Sequence, residues 1–409
     1  MDLKELYSKW NSISLIVRIL CGLAIGLVLA LIIPGYSYIS VFGEIFVSAL
    51  KAIAPLLVMF LVIGSLSTSG SGLGSRFKLV IVLYLASTII AAVVATALGF
   101  INPVTVFLDT SSSTGGEVTG LWDLIHNILV GLMTNPVKAI TDANYLSIIF
   151  WSVIFGLIIK SLKTETVGKA CDELSKLVSK VVTIIISFAP IGIMGLIYDA
   201  VSSNGLDIFV DYGSLILLLV AAMLIVMFVT NPILGAIVMR RNPYPLLLTC
   251  LRGSAITAFF TRSSAANIPV NMSLCEKMGL DKDFYSVSIP LGATINMNGA
   301  AITITTMTLV AVHTLGIEVT FASAAVMCVV AALGACGASG ITGGSLFLIP
   351  MACALFGIND DIAAQLIAIG FIIGVIQDSL ETALNSSMDV YFTAAAEVAE
   401  GVELKSVTE

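Results

Sequence analysis

The chain has 409 residues, 58% of them hydrophobic and only 11% charged, with a net charge of −7 and a mean hydropathy of +1.06. A soluble protein carries about 25% charged residues, so a water-soluble fold is excluded. Apolar runs near the ~20 residues that cross a bilayer point to a helical membrane protein, and they do not suit a β-barrel, which shows ~10-residue alternating segments.

The first dozen residues, MDLKELYSKWNS, are polar and lead into an apolar stretch at 13–33. This stretch is long enough to span and lacks a small-residue cleavage site, so it reads as a retained anchor. Further spans are expected near 43–65, 79–100, 145–159, 182–201, 214–239 and 285–312. Segment 101–144 is rich in Ser, Thr, Gly and acidic residues, with a short amphipathic piece at 121–133. Lys138 falls on the outer side in this parse, and Arg18, Lys51 and Arg262 fall in or beside spans. The rest of the 19 Lys and Arg lie on one side. The positive-inside rule then puts both termini in the cytoplasm, with 244–284 starting and finishing inside. The seven cysteines show no CxxC spacing and there are two histidines, 126 and 313. A disulfide framework, a zinc site or a histidine metal centre has little to build from.

Two segments are too polar at their middles to span and too apolar at their flanks for ordinary loops. The first, within 244–277, clusters small and hydroxyl residues at TRSSAAN ahead of Pro269. The second, 321–357, has two apolar arms around GACGASGITGG. Each arm is only ~12–15 residues, too short to span alone. Both read as helical hairpins that enter the membrane and turn back, the first from inside and the second from outside. A single kinked helix is the alternative for the second, opposed by its glycines. Hairpin, helix, hairpin, helix is an inverted repeat, which in secondary transporters places the binding site where broken helices meet.

The helix expected at 362–396 contains QDSLETALNSSMDV. At 100° per residue, Asp378, Thr382, Asn385 and Asp389 fall within about 60° of one another, and Glu381 lies about 60° to one side. Carboxylates at membrane depth face a cavity or a partner, so this stripe implies cations nearby; a solvated helix end is the bland alternative. In the preceding span, Asn296, Asn298 and Gly299 sit at mid-depth and favour local unwinding. Unwound carbonyls and amides are oxygen donors of the kind that bind sodium or protons in transporters. Asparagines bonded to neighbouring helices are the alternative.

TRSSAANIPVNM, SIPLGATINMNGAAI, the glycine-rich 334–344 and DSLETALNSSMD, in this order, resemble the dicarboxylate/amino acid:cation symporter family. The resemblance covers essentially the whole chain and is most specific over 254–395. It implies eight transmembrane helices plus two re-entrant hairpins, and a homotrimer embedded in lipid. It also implies a scaffold (1–75 and 102–205) that holds a transport domain (76–101 and 206–409) moving as an elevator, with the second hairpin as outer gate. By the same resemblance, Asp378 and Thr382 hold a substrate ammonium. Asn385 holds its carboxylate with the hairpin tip at Ser263 and Ser264, beside Arg262 in the substrate site, and Ala300, Ile341 and Ser345 line the side-chain pocket. Sodium, the implied coupling ion, falls to Asp389, Gly292, Asn296 and Asn385, to Thr294 with the second hairpin, and to Tyr84, Ser87, Thr88 and Asn298.

Two departures from the family pattern matter. Where acidic-substrate members carry an arginine, this chain carries Glu381, which repels a second substrate carboxylate. A neutral substrate, serine or threonine, is therefore expected, with Ser345 offering a hydrogen bond to its hydroxyl and Arg262 neutralising Glu381 or Asp378. Asn298 replaces an aspartate of a sodium site, so fewer coupled sodium ions are expected. An acidic amino acid carrier is the rival within the family. A re-entrant-loop cation channel is the rival outside it, and the absence of HExxH and GxSxG argues against an enzyme.

Overall fold

A computed structural model describes residues 13, 15–68, 75–109, 130–142, 144–162, 165–338 and 343–405. The expected pocket residue Ile341, His126 and the stretch 121–129 lie outside the described residues, as does the Lys51 side chain. All regular elements among the described residues are helical. Among the described residues, four stretches are long and apolar enough to cross a membrane: Arg76–Ile101, Phe209–Met239, Lys282–Thr314 and Asp360–Ala399. Several shorter apolar helices and one bent pair accompany them.

Helices α1 (Leu15–Ile32), α2 (Ser37–Thr68), α5 (Tyr145–Ser161), α6 (Glu165–Ser187) and α7 (Ala189–Asn204) pack chiefly on one another, and a short α4 (Pro136–Thr141) precedes α5. Lipid is as apolar as leucine, so such helices gain by close backbone approach at small residues. A Cβ on Gly22 would overlap the Pro190 carbonyl, and one on Gly26 the Met194 carbonyl, so α1 lies directly against the α7 backbone. Gly43 and Gly195 bring α2 and α7 equally close. The expected span at 182–201 is thus the end of α6 and most of α7. Its start at Glu165 escapes a hydropathy reading because α6 is amphipathic and carries a surface pair, Lys176 to Asp172, at 2.6 Å.

The second group surrounds the last helix. It comprises α3 (Ser75–Ile101), α8 (Ile208–Ile225), a π-helical turn at Val226–Thr230 and α9 (Asn231–Met239). Hairpin one is α10 (Tyr244–Cys250), a second π-helical turn at Leu251–Ala255, α11 (Ile256–Thr261) and α12 (Ser264–Lys277). Next come α13 (Lys282–Ile295) and α14 (Asn298–Thr314). Hairpin two follows as α15 (Phe321–Ala335), a 3-10 turn (Gly344–Leu348) and α16 (Ile349–Ala354). The last helix, α17 (Asp360–Ala399), starts at Asn359, whose side chain accepts the Ile362 N–H at 3.0 Å. Its 40 residues extend roughly 60 Å, beyond the ~30 Å hydrocarbon core.

The polar stripe on α17 is not a solvated end, because Leu384, Met388 and Val390 on its other faces are also fully buried. The far end is tied down by polar contacts. Arg76 pairs with Glu400 at 2.5 Å and Asp281 at 3.3 Å. The Asp281 N–H donates to Glu397, and the Lys405 N–H donates to the Met278 carbonyl.

Candidate functional site

Hairpin one turns at Arg262, a non-glycine residue in the left-handed region with φ 53°. Such a conformation costs of order 1 kcal/mol and persists where surroundings enforce it. Ser263 is extended and caps α12, its Oγ accepting the Ala266 N–H at 3.2 Å. Arg262 Nε donates to Asp378 Oδ2 at 2.7 Å, and both side chains are buried. Of the two acids expected to neutralise Arg262, the structure pairs it with Asp378. The other Asp378 oxygen accepts the Gly343 N–H of hairpin two at 3.1 Å. One carboxylate on α17 therefore joins both hairpin tips.

Glu381 turns toward α14 and hairpin two. Its Oε2 accepts from Thr303 Oγ1 at 2.7 Å, Ser345 Oγ at 2.9 Å and Gln377 Nε2 at 2.5 Å. The Ser345 proton is thereby committed to Glu381, so toward a substrate hydroxyl Ser345 can only accept. Thr382 bonds back to the Asp378 carbonyl at 2.7 Å, and Thr294 to the Leu291 carbonyl at 2.7 Å. Ala300 is fully buried and Ser264 nearly so.

The helix carrying the two asparagines is broken where their composition suggests. Helix α13 stops at Ile295, Asn296 and Met297 leave the helical region (ψ 70° and 55°), and α14 starts at Asn298. Asn385 Oδ1 accepts the Gly299 N–H at 2.7 Å, which anchors α17 to the new helix start. Asn296 Nδ2 donates to Asp389 Oδ1 at 2.9 Å and to the Asn385 carbonyl at 3.3 Å. Gly292 backs onto the same carboxylate, and a Cβ there would lie 2.7 Å from Asp389 Oδ1. On the α3 side, Ser87 Oγ and Asn298 Nδ2 approach Asn296 Oδ1 at 3.3 Å and 2.8 Å. Thr88 bonds to the Tyr84 carbonyl, while the Tyr84 hydroxyl meets Thr393 Oγ1 at 3.0 Å beside the Ser288 and Asp389 carbonyls. The expected ion ligands of α3, α13, α14 and α17 thus meet in one buried polar cluster, with Thr294 and Thr88 turned to their own helices.

Two oxygens in this cluster are sealed from solvent and have no hydrogen-bond partner among the described residues: Asp389 Oδ2 and Asn298 Oδ1. A buried carboxylate oxygen without a donor is costly. A small hard cation, which takes oxygen ligands, resolves that cost and suits the carboxylate, amide, hydroxyl and carbonyl oxygens gathered here.

Sequence reasoning did not single out Gln377 or Thr303, though Gln377 stands one helical turn before Glu381. It also missed the network that holds hairpin one to α17. There Asn267 and Asn271 both donate to Ser386 Oγ, at 2.8 Å and 3.1 Å, and Ser254 donates to Asn271. The AANIPVN spacing, which sets two asparagines four residues apart on one helix face, was the available signal.

A pair of hairpins meeting on a carboxylate, a broken helix and a buried anionic cluster define a secondary transporter rather than an enzyme. The chain belongs to the sodium:dicarboxylate symporter family, whose model matches residues 15–398. It is similar to the serine/threonine transporter SstT of Streptococcus agalactiae, with 54% identity over 396 residues, 97% of this chain and 98% of the relative. The protein of that name from Bifidobacterium adolescentis is 54% identical over 388 residues, 95% of this chain and 90% of its own. That of Streptococcus thermophilus is 50% identical over 396 residues, 97% of this chain and 98% of its own.

Proposed function

We infer that this protein imports L-serine and L-threonine together with sodium across the bacterial inner membrane. The observation that carries the reading is the pair of acids one turn apart on α17. Asp378, at the junction of the hairpin tips, suits an ammonium group. Glu381 stands where a clamp for a second carboxylate would need a cation. The names of the similar relatives agree with a hydroxy amino acid. The family's dicarboxylate substrates are disfavoured by the charge at Glu381.

In this reading the substrate ammonium approaches Asp378 and shares it with Arg262. The α-carboxylate is met by Asn385 and by backbone N–H groups at the α12 start behind Ser263 and Ser264. Sodium is carried with the substrate. Asp389 supplies the charge, and carbonyl oxygens of Gly292, Asn296 and Asn385 the remaining ligands. Thr294 with hairpin two, and Tyr84, Ser87, Thr88 and Asn298, are candidates for further ion contacts. The group formed by α1, α2, α5, α6 and α7 is the scaffold, and the group around α17 is the moving body. Eight membrane helices, two hairpins, a trimer and cytoplasmic termini complete the proposal.

Equilibrium binding to the purified protein tests it. Serine and threonine should raise the melting temperature in detergent only when sodium is present, because a ligand that binds the folded state stabilises it. Stabilisation by aspartate or succinate, and none by serine, would refute the substrate assignment.

A further inference from the structure

We propose that Glu381 accepts the side-chain hydroxyl proton of the substrate through Oε1, and that Thr303, Gln377 and Ser345 are positioning residues that hold its carboxylate for this task. The proposal rests on the amino acid reading above and names the substrate group that the site selects.

The two oxygens of Glu381 differ. Oε2 collects the three donors, which come from three separate elements: Thr303 on α14, Gln377 on α17 and Ser345 in the 3-10 turn of hairpin two. Gln377 Nε2 also donates to Thr303 Oγ1 at 2.7 Å, so the amide and the hydroxyl brace each other. Gln377 holds this orientation although its own Oε1 is sealed and unpartnered. The stem of Glu381 is fenced as well: a Cβ at Gly299 would lie 2.8 Å from Glu381 Cα and 2.9 Å from its Cγ. The carboxylate therefore cannot turn freely.

Oε1, by contrast, accepts no hydrogen bond among the described residues. It is not among the sealed, unpartnered atoms of the described interior. It lies one helical turn from Asp378, the proposed ammonium anchor. Positions three apart on a helix are neighbours, which matches the short reach from an amino group to a β-hydroxyl. A held carboxylate oxygen lacking a donor is complementary to that hydroxyl proton. Alanine brings no proton to it, and an acidic side chain brings repulsion. A site built to hydrogen-bond a hydroxyl rejects an analogue without one far more strongly than an apolar pocket rejects a change of one methylene.

The test compares serine, alanine and 2-aminobutyrate, whose methyl fills the volume of the serine hydroxyl. Uptake into proteoliposomes of the purified full chain is read as kcat/KM for each. The wild type should favour serine over 2-aminobutyrate by about tenfold or more. Thr303→Val and Gln377→Met should each shrink that ratio several-fold, and Thr303→Ser should restore it. If the wild type carries none of the three in a sodium gradient, the amino acid reading itself fails. If it carries serine but takes 2-aminobutyrate equally well, the hydroxyl assignment is overturned and the reading stands. Variants that lower uptake of both substrates in parallel would overturn the hydroxyl assignment in the same way. Where a variant yields no transport at all, the wild-type comparison and Thr303→Ser decide.

Discussion

At the scale of single residues, the site is a set of buried charges with unequal partners. Asp378 is matched by Arg262, whereas Asp389 has one oxygen on the Asn296 amide and the other on nothing. Asp389→Asn keeps the shape and removes the charge. It should raise the sodium concentration for half-maximal serine uptake by about tenfold, since each 1.4 kcal/mol of lost binding is tenfold. An unchanged sodium dependence would remove Asp389 from the ion site. Arg262→Ala leaves Asp378 buried beside hairpin two without its cation. Breaking a buried pair from one side costs about 3–5 kcal/mol, so the melting temperature in detergent should fall markedly. The double change Arg262→Ala with Asp378→Ala should recover much of it, though not serine binding. The acids and asparagines of this site were legible in the sequence because ionisable and amide groups stand out in apolar runs. Ser345 was singled out as a pocket residue, but the other two donors to Glu381, Thr303 and Gln377, were not, because threonine and glutamine are unremarkable in composition. Only the fold brings Thr303, Gln377 and Ser345 to one oxygen.

At the scale of elements, the hairpins differ in how they are held. The arms of hairpin one are joined to α17 by the Ser254, Asn267, Asn271 and Ser386 network. The tip of hairpin two reaches α17 through the Gly343 N–H and Ser345. Packing between α9 and α17 offers a sharper test. Tyr391 is fully buried with a hydroxyl that has no partner among the described residues, and that hydroxyl occupies the place a Cβ at Gly235 would take. Tyr391→Phe should therefore be neutral or stabilising by about 1 kcal/mol, since the buried hydroxyl is desolvated without a bond. Gly235→Ala should destabilise the wild type, and Tyr391→Phe should relieve only part of that loss, because the ring carbons Cζ and Cε1 would still lie 2.5 Å and 2.8 Å from the new Cβ. Thermal unfolding of the four proteins checks this, and additive losses would contradict the contact. Helix boundaries were legible where hydropathy changed sharply, as at α3 and α5. They were missed at α6, whose charged face conceals a helix. The π-helical turns between α8 and α9 and between α10 and α11 were missed too, because one residue of extra winding leaves the apolar character of a segment unchanged.

At the scale of the whole molecule, charge is the basis for expecting both an orientation and a coupling ratio. The lysine and arginine asymmetry predicts that a fluorescent reporter fused to the C-terminus is active in the cytoplasm, while an alkaline phosphatase fusion there is inactive. The reverse pattern would invert the topology. Within the site, one arginine stands against three buried acids, Asp378, Glu381 and Asp389. A zwitterionic substrate leaves two negative charges unmatched, so about two monovalent cations per amino acid are expected from the cost of burying bare charge. The reversal potential of serine transport at set gradients measures this number.

The measurement that tests the central claim most directly is uptake of labelled L-serine into proteoliposomes of purified protein, with and without an inward sodium gradient. A tenfold excess of threonine or aspartate is added in parallel. The account predicts uptake that requires sodium, is suppressed by threonine and is indifferent to aspartate. Strong suppression by aspartate would contradict the role given to Glu381, and uptake that ignores sodium would contradict the role given to Asp389.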